Sequence, residues 1–185
     1  MGPVLKTELH GALKDARTAN LATLEGLGEF DLRRPLTPTG TNLLGVLKHL
    51  GGMEYGYLGE TFGRHLARSV PGDEDPENLG DMWATADETV EDILGWYRQA
   101  CQHADGTIQA LELDDVGSVP HWSDAHQVTL GQMVLRVLAE EQRHGGHLDV
   151  VREIVDGTTT SRESRGEQWW SSHTARLQSL AKSFR

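Results

Sequence analysis

The chain of 185 residues contains a single cysteine, Cys101, so it cannot form an internal disulfide. A disulfide-stabilised secreted domain is thereby excluded, and a reducing compartment is favoured. No apolar run approaches the length of a membrane span, and the N-terminus lacks the long apolar stretch of a secretory signal. We therefore predict a cytoplasmic protein that does not enter a membrane.

Positive charge is also scarce. The chain has 17 Lys and Arg residues and 28 Asp and Glu residues, which gives a formal net charge of -11 at pH 7. A nucleic-acid surface needs clustered cations to neutralise phosphates, so this balance argues against a nucleic-acid partner. Hydrophobic residues make up 37% of the chain and charged residues 24%, which is typical of a soluble globular protein. At this length we expect one domain over residues 1–185 with a substantial core.

The sequence has no convincing alternating strand pattern, whereas apolar residues recur at helical spacing in four long blocks. Thr41 and Thr129 are predicted to cap the second and fourth helices, and Thr85 with Glu88 has the spacing of a capping box for the third. The blocks cover about residues 4–27, 42–62, 85–101 and 130–155, and a shorter block follows at 169–184.

The connection between the second and third helices is rich in Gly, Pro and Asp. It is longer than the few residues that join adjacent antiparallel helices. The sequence therefore predicts an all-α four-helix bundle with a long crossover from helix two to helix three, and a short, packed C-terminal helix.

The stretch "EEQRHGGHLDVVRE", residues 140–153, places chemistry on the fourth helix. At about 100° per residue, Glu140, His144 and His147 fall on one narrow stripe, although two glycines lie between the histidines. Three groups that can bind a metal thus border an apolar face. From spacing alone, a metal site and an ordinary set of solvated or ion-paired helix residues both remain open. The apolar face consists of Met133, Val137, Leu148, Val151 and Val155.

A third ligand from a facing helix would be needed to complete a metal site in a bundle. His49 is the candidate, because it lies at the edge of the apolar face of the second helix. The alternative is an ordinary core or surface histidine. Cys101 lies on the apolar face of the third helix, where a cysteine is more often a small buried hydrophobe than a nucleophile.

Two segments carry a family resemblance: "PLTPTGTNLLGVLKHLGGMEYGYLGETFG" and "VTLGQMVLRVLAEEQRHGGHLDVVREIVDG". Their most specific parts are Thr-x-Leu-Leu-Gly-x-x-x-His-Leu, which ends at His49-Leu50, and Glu-x-x-x-His-x-Gly-His, from Glu140 to His147. They resemble the DinB-like superfamily of helical-bundle metalloproteins, in its actinobacterial branch related to mycothiol-dependent S-transferases and maleylpyruvate isomerases. The similarity extends over nearly the whole chain, including the tail that contains tryptophan.

The resemblance implies a divalent metal, zinc or alternatively nickel, bound by His49, Glu140 and His144. It leaves His147 as a fourth ligand, a replacement ligand or a base that faces the substrate. It also implies a mycothiol-type thiol cosubstrate, a small electrophile, S-transfer in detoxification, and a homodimer. Thiol-dependent isomerisation, metal-dependent hydrolysis, and a non-catalytic metal- or ligand-binding stress protein are the alternatives.

Overall fold

A computed structural model describes residues 2–122, 127–159 and 165–185 of the chain, and 66% of these residues are helical. The helices are α1 (Gly2–Ala22), α2 (Glu29–Arg33), α3 (Leu43–Leu58), α4 (Val90–Ala110), α5 (Leu130–Asp156) and α6 (Glu167–Lys182). Three 3-10 turns lie between α3 and α4: Glu60–Phe62, Pro76–Asn78 and Gly80–Met82. Strands β1 (Val116–Ser118) and β2 (Gln127–Thr129) form an antiparallel pair.

The predicted all-α helical-bundle class is confirmed. The four long sequence blocks become α1, α3, α4 and α5, and the long connection between α3 and α4 is present. The sequence did not reveal α2, nor the two strands that precede α5, because three residues are too few to show an alternating pattern. Within the described residues, no helix is both long and apolar enough to cross a membrane.

The predicted positions of the helix caps are confirmed in part. Thr129 caps α5 as predicted, since its side chain accepts from the Gln132 amide while the Gln132 side chain accepts from the Thr129 amide. The prediction of Thr41 as the cap of α3 was wrong by one residue. Asn42 is the cap, and its side chain accepts a hydrogen bond of 2.7 Å from the Gly45 amide. The amide oxygen satisfies one of the unpaired N–H groups of the first turn.

The predicted capping box of the third helix was also misplaced. Helix α4 is capped by Thr89, which exchanges hydrogen bonds with Asp92. Glu88 instead accepts from the Thr85 amide and from Lys48 Nζ on α3, both at 2.9 Å or less. Two consecutive Thr-x-x-acid patterns occur here, at 85–88 and 89–92. The second caps α4, whereas the acid of the first, Glu88, ties the end of the crossover to α3.

Helix α3 is the central element, because it packs against both α4 and α5, while α1 packs against α5. Its apolar face is fully buried, and it shares one core with side chains from both neighbours. This core comprises Leu43, Leu44, Val46, Leu47 and Leu50 of α3, Ile93 and Tyr97 of α4, and Leu148 and Val151 of α5, with Leu24 and Leu32.

A buried ion pair crosses the bundle between α1 and α3. Arg17 Nε and one terminal nitrogen each lie 2.6 Å from a different carboxylate oxygen of Glu54, whose side chain is fully buried. The remaining terminal nitrogen of Arg17 donates to Asp105 on α4 at 2.7 Å, where His10 also binds. These contacts link α1 to both α3 and α4.

Glu141 of α5, also fully buried, extends the network. It accepts hydrogen bonds from Asn20 Nδ2 at 2.6 Å and from the Tyr97 hydroxyl at 2.9 Å. Burial, together with the nearby carboxylate of Glu54, raises the pKa of Glu141 well above its ordinary value. Side chains from all four long helices thus meet in one hydrogen-bonded network.

The first of the two glycines between His144 and His147 is explained by this network. A Cβ atom on Gly145 would lie 2.6 Å from Asn20 Oδ1, whereas one on Gly146 would meet no atom within 4 Å. Gly145 therefore permits α1 to approach α5 closely enough for Asn20 to reach Glu141.

The C-terminal helix α6 exists, but the prediction that it packs was wrong. None of its residues is buried, and Trp169, Leu177 and Leu180 are 42%, 51% and 58% exposed. The sequence spacing indicates a helix with an apolar stripe and does not specify what the stripe contacts.

We predict opposite effects for alanine at the two adjacent glycines. Gly145→Ala should lower the free energy of unfolding by about 1–2 kcal/mol, because overpacking displaces the buried Asn20. Gly146→Ala should raise it by up to about 1 kcal/mol through helix propensity alone. Urea denaturation of the metal-free variants measures both. Equal effects at the two positions would contradict the close approach of α1 at Gly145.

Candidate metal centre

The structure brings His49, Glu140 and His144 together at the interface between α3 and α5. One ligand atom from each lies within 4.8 Å of the other two. His144 Nε2 is 3.5 Å from Glu140 Oε2, and the rings of His49 and His144 have their centroids 4.9 Å apart. Within residues 2–122, 127–159 and 165–185, these three residues form the only group of three or more His, Cys, Asp or Glu side chains with metal-binding geometry.

Helix periodicity accounts for this convergence. Glu140 and His144 are one turn apart on α5, and the buried Val137 and Leu148 on the neighbouring stripe hold that face of α5 against the bundle. On α3, His49 directly precedes the fully buried Leu50, so its ring lies at the edge of the core. The side chains of His49, Glu140 and His144 are 16%, 26% and 13% exposed, so the group is accessible from one side.

Sequence reasoning missed Asp81, which contacts His49 from the crossover between α3 and α4. Asp81 Oδ2 lies 2.7 Å from His49 Nδ1. The hydrogen bond from His49, more than the opposing effect of burial, lowers the pKa of Asp81. No spacing rule links these residues, since 32 positions separate them and Asp81 belongs to a short 3-10 turn of the crossover.

His147 lies behind His144 rather than among the three converging groups. Its Nδ1 is 3.3 Å from His144 Nδ1, and the side chain of His147 is exposed. His144 Nε2, the other ring nitrogen, faces Glu140. A hydrogen bond between the two Nδ1 atoms requires a proton on one of them, and a proton on His144 Nδ1 leaves its Nε2 free to bind a metal.

The electrostatic environment favours the neutral form of His144. Burial, with the neighbouring imidazoles of His49 and His147, lowers the pKa of His144 to about 4. Because a metal binds the unprotonated nitrogen of imidazole, no proton has to be displaced from His144 at neutral pH.

The donor set fits a divalent transition metal. Two imidazole nitrogens and one carboxylate oxygen form the ligand set of many catalytic zinc sites, and imidazole also suits nickel. Bonds of about 2.0–2.1 Å in a tetrahedral arrangement place the ligand atoms about 3.3 Å apart. The 3.5 Å separation between His144 and Glu140 is close to that value.

A cleft of about 320 Å³ lies on the Asp81 side of His49. One wall is the next part of α3 beyond His49, including Gly52 and Met53, and the other wall is the crossover, including Asp73 and Asp81. Asp81 thus contacts His49 and also lines the cleft. A small molecule in the cleft could therefore contact Asp81, the residue that joins the cleft to His49.

No curated protein sequence matches the chain. A comparison with protein families, by contrast, matches residues 8–157 to the family described as mycothiol-S-transferase. The match spans α1 to α5 and contains His49, Glu140, His144 and Asp81. It ends at Gly157, before α6, so the tail that the sequence resemblance had included lies outside it. Since the match covers most of the chain, the protein belongs to the mycothiol-S-transferase family.

Proposed function

We propose that the protein is a metal-dependent S-transferase that joins a mycothiol-type thiol to a small electrophile. The observation that supports this most directly is the convergence of two imidazoles and one carboxylate from α3 and α5. Asp81, which contacts His49, also lines a neighbouring cleft. Three protein ligands leave a coordination position free, which distinguishes a catalytic site from a closed structural one.

His49, Glu140 and His144 would hold the ion. A divalent ion bound there would lower the pKa of a coordinating thiol, so that the thiolate is present at neutral pH. We propose zinc as the native metal, with nickel as the alternative. Asp81 contacts Nδ1 of His49 and His147 contacts Nδ1 of His144, so Nε2 of each histidine remains available for a metal.

In the proposed reaction, the thiol sulfur forms a bond to the electrophilic carbon, and the leaving group departs with the bonding electron pair. The thiol proton passes to solvent, which reaches the site through its exposed side. The cleft along α3 holds the electrophile next to the candidate centre. No protein nucleophile is required.

The alternatives predict different products. S-transfer consumes mycothiol in equal amount to the thioether formed, for instance with monochlorobimane, whose product is fluorescent. Thiol-dependent isomerisation of an added substrate leaves the thiol concentration unchanged. A non-catalytic binding protein binds the thiol without turnover. Assays on protein purified without an affinity tag, with metal content measured on the same sample, separate these outcomes.

Loss of a residue that only hydrogen-bonds to a metal ligand lowers metal affinity by roughly 10–100-fold. We predict that His49→Ala, Glu140→Ala and His144→Ala each lower zinc affinity by more than this. Helicity should be retained, because these side chains lie at the edge of the core. Zinc affinity is measured by competition with a chromophoric chelator, and circular dichroism is the control for folding. Thiol-transfer activity should fall with metal content, and a chelator should abolish it in the unmodified protein.

Full zinc occupancy in folded His49→Ala and His144→Ala proteins would contradict the proposed site. Unchanged affinity in Glu140→Ala alone would instead assign the third ligand position to His147.

A second prediction concerns His147. If His147 only supports His144 through the Nδ1 contact, His147→Ala should lower zinc affinity by about 10-fold, and His147→Gln, which keeps an acceptor, should restore part of it. The same chelator competition measures this. A loss as large as that of His144→Ala would show that His147 is itself a ligand.

A third prediction concerns Cys101. Burial, aided by the nearby Glu54, raises the pKa of its thiol, so the nucleophilic thiolate is disfavoured. Cys101→Ala should keep the thiol-transfer rate within about twofold and lower the free energy of unfolding by about 1 kcal/mol through lost packing. Loss of activity from the folded variant would place the nucleophile on the protein instead of on mycothiol.

We also propose a role in detoxification, a homodimeric state and a cytoplasmic location. Sedimentation of the purified protein over a range of concentrations tests the second of them.

A further inference from the structure

The crossover between α3 and α4 places one carboxylate in contact with a candidate metal ligand. Asp81 Oδ2 lies 2.7 Å from His49 Nδ1. A carboxylate only accepts hydrogen bonds, so Nδ1 must carry the proton and donate it. In the neutral ring, Nε2 is then unprotonated and free to bind a metal.

We infer that Asp81 is a positioning residue that fixes the tautomer and the orientation of His49 with Nε2 directed at the metal. This inference rests on the proposed function, because it gives Asp81 a role in the same centre. Carboxylate partners of metal-binding histidines act in this way and also make the ring a stronger ligand.

The segment that carries Asp81 is fastened to the first half of α3. Gly45 of α3 lies directly against the Met82 carbonyl, and any Cβ atom at position 45 would collide with it. The Asn42 side chain donates to the same carbonyl at 3.3 Å, and Lys48 Nζ donates to the Trp83 carbonyl at 3.0 Å. The helix that carries His49 therefore holds the residues that directly follow Asp81.

The backbone before Asp81 is equally constrained. Leu79 has φ 56°, a left-handed conformation that a residue with a side chain rarely adopts. Backbone hydrogen bonds from Gly80 to Asp75 (2.9 Å) and from Met82 to Leu79 (2.8 Å) hold this conformation in place. An unfavourable backbone conformation next to a contact with a candidate ligand is a common feature of functional sites.

Charge around Asp81 is consistent with a positioning role. Lys48 and His49 favour its ionised form, whereas Asp73, which lines the same cleft, lies close enough for the two carboxylates to repel each other. An ionised Asp81 accepts from His49, and its negative charge also offsets part of the charge of a divalent ion beyond the ring. The alternative is that this contact only fastens the crossover to α3.

Asp81→Ala separates the two possibilities, with Glu77→Ala as the matched control. Glu77 is an exposed acid in the same crossover, so its replacement by alanine removes the same charge without removing a contact of His49. The first readout is the tautomer of His49 in the metal-free protein, from the ¹⁵N chemical shifts of its ring nitrogens. The second is the dissociation constant for zinc, by chelator competition, with circular dichroism as the control for folding.

We expect the metal-free protein to hold the proton of His49 on Nδ1 and Asp81→Ala to shift it toward Nε2. Zinc affinity should fall by about 10–100-fold. Asp81→Asn, which keeps an acceptor oxygen, should restore most of the Nδ1 tautomer and part of the affinity, and Glu77→Ala should change neither.

An unchanged tautomer in folded Asp81→Ala would overturn the inference, whatever the zinc affinity. Where His49→Ala shows that zinc binds at this centre, a zinc dissociation constant of Asp81→Ala within threefold of that of Glu77→Ala would also overturn it. Because the tautomer is read without metal, the effect of Asp81 on His49 is measured even if His49→Ala shows that zinc binds elsewhere. Failure of the proposed function and failure of this inference are therefore distinguishable.

Discussion

The buried pairing of Arg17 with Glu54 constrains how the long helices pack. Both side chains are almost inaccessible, and a buried charge that loses its partner destabilises a protein by about 3–5 kcal/mol. A shift of α1 or α3 along its axis by one turn would separate the guanidinium from the carboxylate. Asn20, Tyr97 and Glu141 add α4 and α5 to the same network. Alternative packings of similar apolar faces are thereby disfavoured.

This constraint also sets the position of the candidate metal centre. Because Glu141 points into the buried network, the preceding Glu140 is rotated by about 100° away from it, and His144 follows Glu140 one turn later. Glu54 likewise fixes the register of α3, which carries His49 five residues earlier. The candidate centre therefore lies on two of the four helices that the polar network joins. The network faces the interior of the bundle, and the centre lies at the edge of the core.

Much of this arrangement is readable from the sequence. Apolar periodicity of 3.6 residues predicts the four long helices, and their faces, because burial of one stripe is a local property of each helix. The spacing of Glu140 and His144 predicts that they share a side of α5 for the same reason. The position of His49 at the edge of an apolar face makes it the candidate third ligand, and the family resemblance implies the same residue. The structure places its ring 4.9 Å from that of His144. The cap positions were predicted less accurately, because competing Thr and Asn residues lie within one turn of each other.

The tertiary structure alone decided what contacts these residues. Asp81 reaches His49 through an irregular crossover, and hydrogen bonds to α3 set the path of that crossover. The need for glycine at position 145 appears only when α1 brings Asn20 against α5. The apolar stripe of α6 is evident in the sequence, but its exposure is not. Periodicity records which face of a helix is apolar, whereas the partner of that face depends on how all the helices satisfy their buried groups together.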